Sequence, residues 1–95
     1  MITLHIEHAI TDFSTWKQAF DRFEDMRRDG GVLRHRVYLA TDDDRYVIIH
    51  LDFSTGDEAA KFLDLLTTRV WSTPANAPAL VGSPKTRILD LVEQA

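Results

Sequence analysis

Four polar side chains on two predicted strands form the first candidate site. His5 and Glu7 lie two residues apart in one alternating segment, and His50 and Asp52 repeat that spacing in another. Residues two apart on a strand share a face, and the two strands are neighbours in the sheet derived below. Two imidazoles and two carboxylates are ligands that zinc, iron or manganese accept, and they also form ion pairs at an interface or in solvent. We expect ion pairs here and no bound metal.

His35 and His50 are the two candidate general bases, since imidazole titrates near neutral pH. His35 is predicted on the helix-facing side of its strand, among apolar neighbours. There it is either a hydrogen-bonded core histidine or a base beside a cavity. His50 belongs to the polar set on the opposite side of the sheet. We predict that one of the two is the catalytic residue if the protein is an enzyme.

Aromatic side chains are the candidate ligand-binding residues. An apolar pocket with a few polar groups suits an aromatic ligand, although aromatic residues at helical spacing also form plain core. Trp71 falls where a predicted helix gives way to a proline-containing loop, so it is predicted as a lid over the ligand. The predicted cavity walls are Trp16, Phe20, Tyr38, Phe62 and Trp71.

Hydrophobic periodicity predicts the elements that position these residues. Apolar and polar residues alternate from Ile2 to His8, which is the period of a half-buried strand. Aromatic residues then recur at spacings of three and four from residue 13. This spacing indicates a helix that is capped by Asp12 and ends at Gly30-Gly31. Two β-rich runs, 32–40 and 45–53, flank an acidic turn and predict a hairpin.

The second half of the chain adds a helix and a strand. Thr55 and Glu58 fit a capping box, and apolar residues follow at helical spacing as far as Val70. A loop over 73–84 leads to a last strand over 85–92. The order is β-α-β-β-α-β, and right-handed crossovers fold it into a ferredoxin-like α+β domain. We therefore predict one domain over residues 1–95, with a four-stranded antiparallel sheet and two helices on one face.

Composition excludes several classes of function. The 95 residues are 44% hydrophobic and 27% charged, as in ordinary globular proteins, and the formal net charge of −4 argues against nucleic acid and anionic membranes as partners. Because cysteine is absent, disulfides and thiolate chemistry are excluded. Neither a signal peptide nor a membrane span is recognisable, so we expect a cytoplasmic protein. No phosphate-binding glycine loop occurs, and no cofactor is expected.

We predict that the protein dimerises through the face of the sheet opposite the helices. This face mixes charged side chains with bulky Tyr and Ile side chains, and an identical sheet is its natural cover. Arg34 and Arg36 can then pair with Glu7 and Asp52 across a two-fold axis. We expect the protein to be its own partner in a homodimer.

In this element order, the chain resembles the dimeric α+β barrel superfamily, which includes the antibiotic biosynthesis monooxygenase-like proteins. The resemblance rests on the helix Trp16-Lys17-Gln18-Ala19-Phe20-Asp21, the hairpin from Val37-Tyr38 to Asp42-Asp43, and the segment Val81-Gly82-Ser83-Pro84 before the last strand. It implies two sheets packed face to face and a cavity between helices and sheet in each subunit. Some members are cofactor-independent monooxygenases acting on polycyclic phenols, others catalyse decarboxylation, cyclisation or haem-linked reactions, and many have no known activity. The monooxygenase branch often has tryptophan and then histidine near the start of the second helix, where this chain has Gly56, Asp57 and Phe62.

The resemblance and the residues together lead to one expectation about function. We expect a small monooxygenase-like enzyme that acts on an aromatic or polycyclic small molecule without a bound cofactor. The substrate's own acidic phenol then supplies the reactivity, with His35 or His50 as base and Trp71 over the ligand. The alternative is a non-catalytic homodimer that binds a small ligand or a protein partner.

Overall fold

The chain forms one antiparallel sheet with its helices packed on one side. The computed structural model describes residues 1–95, and the sheet order is β2-β3-β1-β4 with every neighbouring pair antiparallel. The predicted four-stranded sheet is confirmed. None of the helices is long and apolar enough to span a membrane. The elements in chain order are β1 (Ile2–Ile10), α1 (Phe13–Arg22), α2 (Glu24–Asp29), β2 (Arg34–Ala40), β3 (Asp43–Phe53), α3 (Gly56–Leu65), a π-helical turn (Leu66–Val70) and β4 (Leu80–Asp90).

Both predicted helix caps are present. Asp12 has extended backbone geometry, and its carboxylate accepts a hydrogen bond of 2.7 Å from the Thr15 N–H. Thr55 caps α3 by accepting from the Glu58 N–H at 3.2 Å. Such bonds satisfy backbone donors that the first helical turn leaves free. They fix where each helix starts and therefore which side chains face the sheet.

The predicted first helix is divided into two in the structure. Phe23 leaves helical geometry, with φ −101° and ψ 20°, and α2 starts after it. Aromatic and apolar side chains on both sides of the break, including Phe20 and Met26, still pack against the core. The break changes the direction of the helix axis, and the apolar side chains of both helices still face the sheet. The predicted left-handed stop is found at Gly31, where φ is +93°.

The core lies between the sheet and the helices. Alternate side chains of the two central strands are less than 5% exposed, among them Leu4, Val47 and Phe53. Alternation over residues 32–40 predicts that Leu33 and Leu39 also face the helices and join this core; that prediction is wrong, because they are 59% and 38% exposed. They lie at or beside the edge strand β2, which the helices do not cover.

The sequence pattern of the last strand allows either Leu89 and Leu91 or Ile88 and Val92 to face the helices, and the structure decides between them. The strand begins at Leu80, five residues before the predicted start, and runs through Pro84, which an edge strand tolerates. Ile88 pairs with Leu4 and so lies on the helix side, whereas Leu89 pairs with Thr3 and lies on the opposite side. We call that opposite side the open face. It carries Thr3, His5, Glu7, Arg34, Arg36, Tyr38, Tyr46, Ile48, His50, Asp52, Lys85, Arg87 and Leu89.

Candidate functional site

A small pocket lies between the sheet and the helices, and we call it the inner pocket. Its cavity volume is about 80 Å³, and 15 of its 18 lining residues are hydrophobic. The three others are His8, Arg27 and Asn76. An apolar cavity of ~150 Å³ encloses benzene, so this pocket holds less than one ring in its present shape.

Four of the five predicted wall residues line the inner pocket. These are Trp16, Phe20, Phe62 and Trp71. The rings of Trp16 and Phe20 stack with centroids 4.8 Å apart and planes 24° from parallel. The fifth, Tyr38, does not lie on the cavity wall: it belongs to the open face, where its ring packs edge-on against His50 at 5.4 Å.

His8 is the residue of the inner pocket that can act as a general base, and the sequence analysis did not identify it. It follows Leu4 and Ile6 on the inward side of β1 and is 5% exposed. Its Nδ1 donates a 2.9 Å hydrogen bond to the Ala9 carbonyl, which leaves Nε2 as the acceptor of a neutral ring. Burial lowers the pKa of His8, against the opposing effect of the Ala9 bond.

The Nε2 atom of His8 is available to a ligand. It makes no hydrogen bond within the protein, yet no fully buried side-chain nitrogen or oxygen lacks a partner. Nε2 therefore keeps accessible surface, and His8 lines the pocket. At neutral pH it presents a lone pair, which is what a general base requires.

Arg27 is the second polar residue that the sequence reasoning missed. It is 7% exposed and donates from Nη1 to the Phe20 carbonyl at 2.6 Å. Its guanidinium carbon lies 3.7 Å from the centroid of the Phe20 ring, a cation–π contact. Burial lowers the pKa of Arg27, but guanidinium remains protonated in proteins. The inner pocket thus contains one buried cation.

His35 lies outside the inner pocket. The prediction that it is a core histidine is wrong, because it is exposed on the edge strand β2. Its ring packs edge-on against Phe20 at 5.3 Å, on the helix side of the sheet. Partial burial lowers its pKa first, and the positive charges of Arg27 and Lys17 lower it further. His35 therefore adjoins the pocket wall without lining the cavity.

His50 belongs to a hydrogen-bonded chain on the open face. Its Nε2 lies 2.9 Å from His5 Nδ1, and His5 Nε2 lies 3.1 Å from Glu7 Oε2. Tyr46 donates to the other Glu7 oxygen at 3.1 Å. Because the carboxylate can only accept, His5 donates to Glu7 and accepts from His50 when both rings are neutral. Burial, then the neighbouring His5 and Arg36, lower the pKa of His50.

Asp52 makes a separate cluster on the same face. It is 1% exposed and accepts from Thr3 at 2.7 Å, from Arg34 at 2.6 Å and from Arg36 at 2.8 and 3.2 Å. Arg36, then Thr3 and Arg34, hold the pKa of this carboxyl far below its usual range, against the cost of burial. The four candidate metal ligands are thus engaged with other side chains. No group of three or more His, Asp or Glu side chains is arranged to hold a metal ion.

An outer groove lies beyond Trp71. Its volume is about 390 Å³, and Trp71 and Leu80 line both the groove and the inner pocket. Hydroxyl groups of Thr67, Ser72 and Ser83 are among its other walls. Trp71 therefore forms part of a partition between a small apolar cavity and a larger polar one.

Solved structures share this fold. A protein from Nitrosomonas europaea, whose name assigns it provisionally to the antibiotic biosynthesis monooxygenases, is 16% identical with a TM-score of 0.71, covering 98% of this chain and 100% of its own. SnoaB of Streptomyces nogalater, named as a cofactor-independent oxygenase, is 13% identical with a TM-score of 0.73, covering 98% and 94%. A protein from an uncultured marine organism, named as a dimeric ferredoxin-like protein, is 10% identical with a TM-score of 0.64, covering 99% and 97%. No family model and no curated protein sequence matches the chain. At these identities the likeness establishes the ferredoxin-like fold.

Proposed function

We propose that the protein is a cofactor-independent monooxygenase that oxidises an aromatic small molecule carrying an acidic phenol. The observation that carries the proposal is His8, a buried neutral imidazole that lines an aromatic-walled pocket and whose Nε2 has no hydrogen-bond partner in the protein. The name of SnoaB, a structural neighbour, supports the same reaction class. The base is His8 in this proposal, because His35 and His50 do not line the pocket.

The proposed reaction needs only the substrate, O₂ and a base. His8 Nε2 takes the phenol proton, and the electron-rich phenolate passes electron density to O₂. A C–O bond forms at a ring carbon that carries hydrogen, which gives a hydroperoxide after protonation. Loss of that hydrogen as a proton and cleavage of the O–O bond then yield a carbonyl and water. One atom of O₂ enters the product, the other leaves as water, and the substrate loses two hydrogens.

Trp71 determines how large a substrate the site accepts. The inner pocket is far below the ~300–1,000 Å³ of ordinary ligand pockets, whereas the outer groove falls within that range. Because Trp71 forms part of the wall between them, rotation of its side chain joins the two spaces. We infer that a multi-ring substrate enters by displacing Trp71 and then stacks against it.

Oxygen uptake tests the proposed reaction. With 1-naphthol as the first substrate of a panel of fused-ring phenols, we expect uptake that depends on the enzyme and equals quinone formation. His8→Gln should lower kcat about 100-fold, the usual contribution of a positioned base. His35→Gln, in a residue outside the pocket, should leave kcat unchanged. Because burial lowers the pKa of His8, the activity should persist at neutral pH and fall only below about pH 6.5, the usual imidazole value. Absence of uptake across the panel, or full activity of His8→Gln, would refute the proposal.

We further propose that the protein is a homodimer joined through the open face. That face exposes Tyr38 at 44% and Leu89 at 40%, and an identical face is its natural cover. The expected pairing of Arg34 and Arg36 with Asp52 across a two-fold axis is wrong, because both arginines bind Asp52 of the same chain. The dimeric name of one structural neighbour supports this assembly. Light scattering should report about twice the chain mass of 10.9 kDa.

Two adjacent substitutions on β4 locate the interface. Leu89→Glu places a charge on the open face and should produce monomers, since an unpaired charge in a desolvated interface costs several kcal/mol. Ile88→Glu is the matched control, because Ile88 is equally exposed, at 42%, but lies on the helix side. A wild-type monomer, or equal effects of the two changes, would contradict an interface on this face.

A further inference from the structure

Arg27 carries a buried charge that forms no ion pair within the protein. It is 7% exposed, and none of the ion pairs of the protein includes it. The negative charges of Asp21 and Glu24 raise the pKa of Arg27 against the effect of burial, but neither carboxylate forms an ion pair with it, and Asp21 is itself bonded to Lys17 at 2.6 Å. A buried, unpaired cation is costly, and proteins ordinarily pair or coordinate such charges. An anionic ligand would supply the ion pair that the protein itself does not.

The guanidinium group has donors to spare. Of its five N–H groups, one bonds to the Phe20 carbonyl at 2.6 Å, and no other hydrogen bond to the group is present. The nitrogens without a partner are not fully enclosed, since no fully buried side-chain nitrogen is left unpaired. Arg27 can therefore donate to a ligand without giving up its existing contacts.

The surroundings of Arg27 favour a negatively charged aromatic ligand. The inner pocket has no Asp or Glu in its lining, and His8 is neutral at pH 7 because burial lowers its pKa. Outside the pocket the neighbouring charges have both signs: Lys17 lowers the pKa of the adjoining His35, and Asp21 and Glu24 raise it. Around this cation the walls are aromatic and apolar. Low polarity strengthens the attraction between a fixed cation and an incoming oxyanion.

We propose that the inner pocket binds an aromatic oxyanion, either an aryl carboxylate or a phenolate, whose charged oxygen pairs with Arg27. The proposal rests on the proposed function of the same pocket and specifies the charge state of its ligand. In the oxygenase reaction, the phenolate formed when His8 takes the proton is then held by Arg27. Arg27 becomes the residue that distinguishes acidic aromatic compounds from neutral ones.

Two ligands of the same shape, one charged and one neutral, test whether the pocket prefers a negative charge. Benzoate and benzamide have the same ring and the same number of heavy atoms, but only benzoate is charged at pH 7. Their affinities for the intact protein are measured by NMR titration at fixed ionic strength. We expect benzoate to bind at least tenfold more tightly than benzamide. Equal affinities would overturn the proposal without recourse to any variant.

Variants assign the preference to Arg27. Arg27→Met, which keeps an unbranched apolar stem but removes the charged guanidinium, should bind the two ligands equally. Arg27→Lys should retain part of the preference, and it provides the test if the methionine variant does not fold. Arg28→Met is the matched control, because Arg28 is the next residue of α2 but is 69% exposed, and it should leave the ratio unchanged. A preference that survives in Arg27→Met would refute the assignment.

Two further experiments are informative: one distinguishes a phenolate ligand from a carboxylate ligand, and the other distinguishes the oxygenase proposal from the oxyanion proposal. 4-Nitrophenol, titrated below and above its own ionisation, should gain affinity on ionisation if phenolates bind; benzoate binding without such a gain restricts the site to carboxylates. Benzoate preference without oxygen uptake from any phenol would refute the oxygenase proposal and leave this one standing. Oxygen uptake by a protein that binds benzoate and benzamide equally would do the reverse.

Discussion

Asp52→Asn is predicted to destabilise the protein by about 3 kcal/mol. The carboxylate is 1% exposed and accepts four hydrogen bonds from three residues, Thr3, Arg34 and Arg36. A hydrogen bond to a charged group contributes about 1.5–3 kcal/mol. The predicted loss of stability is smaller than the sum over four such bonds, because the side chains of Arg34 and Arg36 are 65% and 39% exposed. Water can therefore replace part of the hydrogen bonding that the two arginines lose. An asparagine keeps the shape but offers one acceptor and turns an N–H₂ group toward the arginines.

The assay for Asp52→Asn is denaturant unfolding of both proteins at one protein concentration and pH 7, followed by thermal melts. A loss of about 3 kcal/mol corresponds to a fall in Tm of roughly 15 °C for a domain of this size. Asp42→Asn, in the exposed hairpin turn, is the control and should change stability by less than about 0.5 kcal/mol. A loss for Asp52→Asn no larger than that of the control would refute the reasoning.

The pH dependence gives the same prediction an independent check. The pKa of Asp52 is lower in the folded protein than in the unfolded chain, so its stabilising effect is complete above the unfolded value of about 3.9. It is lost as the pH falls through the folded value. The stability difference between wild type and Asp52→Asn should therefore be constant from pH 7 to about pH 5 and shrink in stronger acid. A difference that grows on acidification would contradict the sign.

Three further substitutions test the fold and the pocket. Asp12→Ala removes the cap of α1 and should cost about 1 kcal/mol in denaturant unfolding; no change would mean that the cap bond is not made in solution. Gly30→Ala places a methyl group 2.5 Å from the Phe62 ring, so unfolding experiments should show a loss of about 1–3 kcal/mol, and a neutral effect would mean that this ring is free to move. Trp71→Ala should leave a folded protein, weaker by about 1–2 kcal/mol because Trp71 is only half-buried. The same variant should bind 1-naphthol less tightly, as measured by the change in Trp16 fluorescence on titration. An unfolded variant would mean that Trp71 is a core residue and not a lid.

Sequence periodicity predicted the centre of the sheet better than its edges. Alternation in β1 and β3 follows directly from burial of one face, and Leu4 and Val47 lie where it places them. At the edge strand the same alternation places Leu39 inward, but the helices do not reach that far. Whether a strand is covered depends on tertiary packing, which no local pattern contains.

The candidate site was predicted in its apolar part and missed in its polar part. Aromatic spacing identified side chains such as Trp16 and Phe62, which line the inner pocket. The signal for His8 was present, since it shares the inward parity of Leu4 and Ile6 on β1. Arg27 lies in α2, seven residues after Phe20, and continues the apolar stripe of the predicted first helix, but its position also suits the helix dipole. A histidine or arginine at an inward-facing position was the signal that would have identified both.

The most direct test of the central claim is to locate a bound phenol by NMR chemical-shift changes in the isotope-labelled protein. On addition of 1-naphthol, we predict that the methyl resonances of Ala19 and Ala79 in the inner pocket and the imidazole resonances of His8 shift together in a saturable way. The methyl groups of Ile48, on the open face, should remain unchanged. Shifts confined to Ile48 and its neighbours on the open face, or no saturable shift anywhere, would contradict a ligand site between the helices and the sheet.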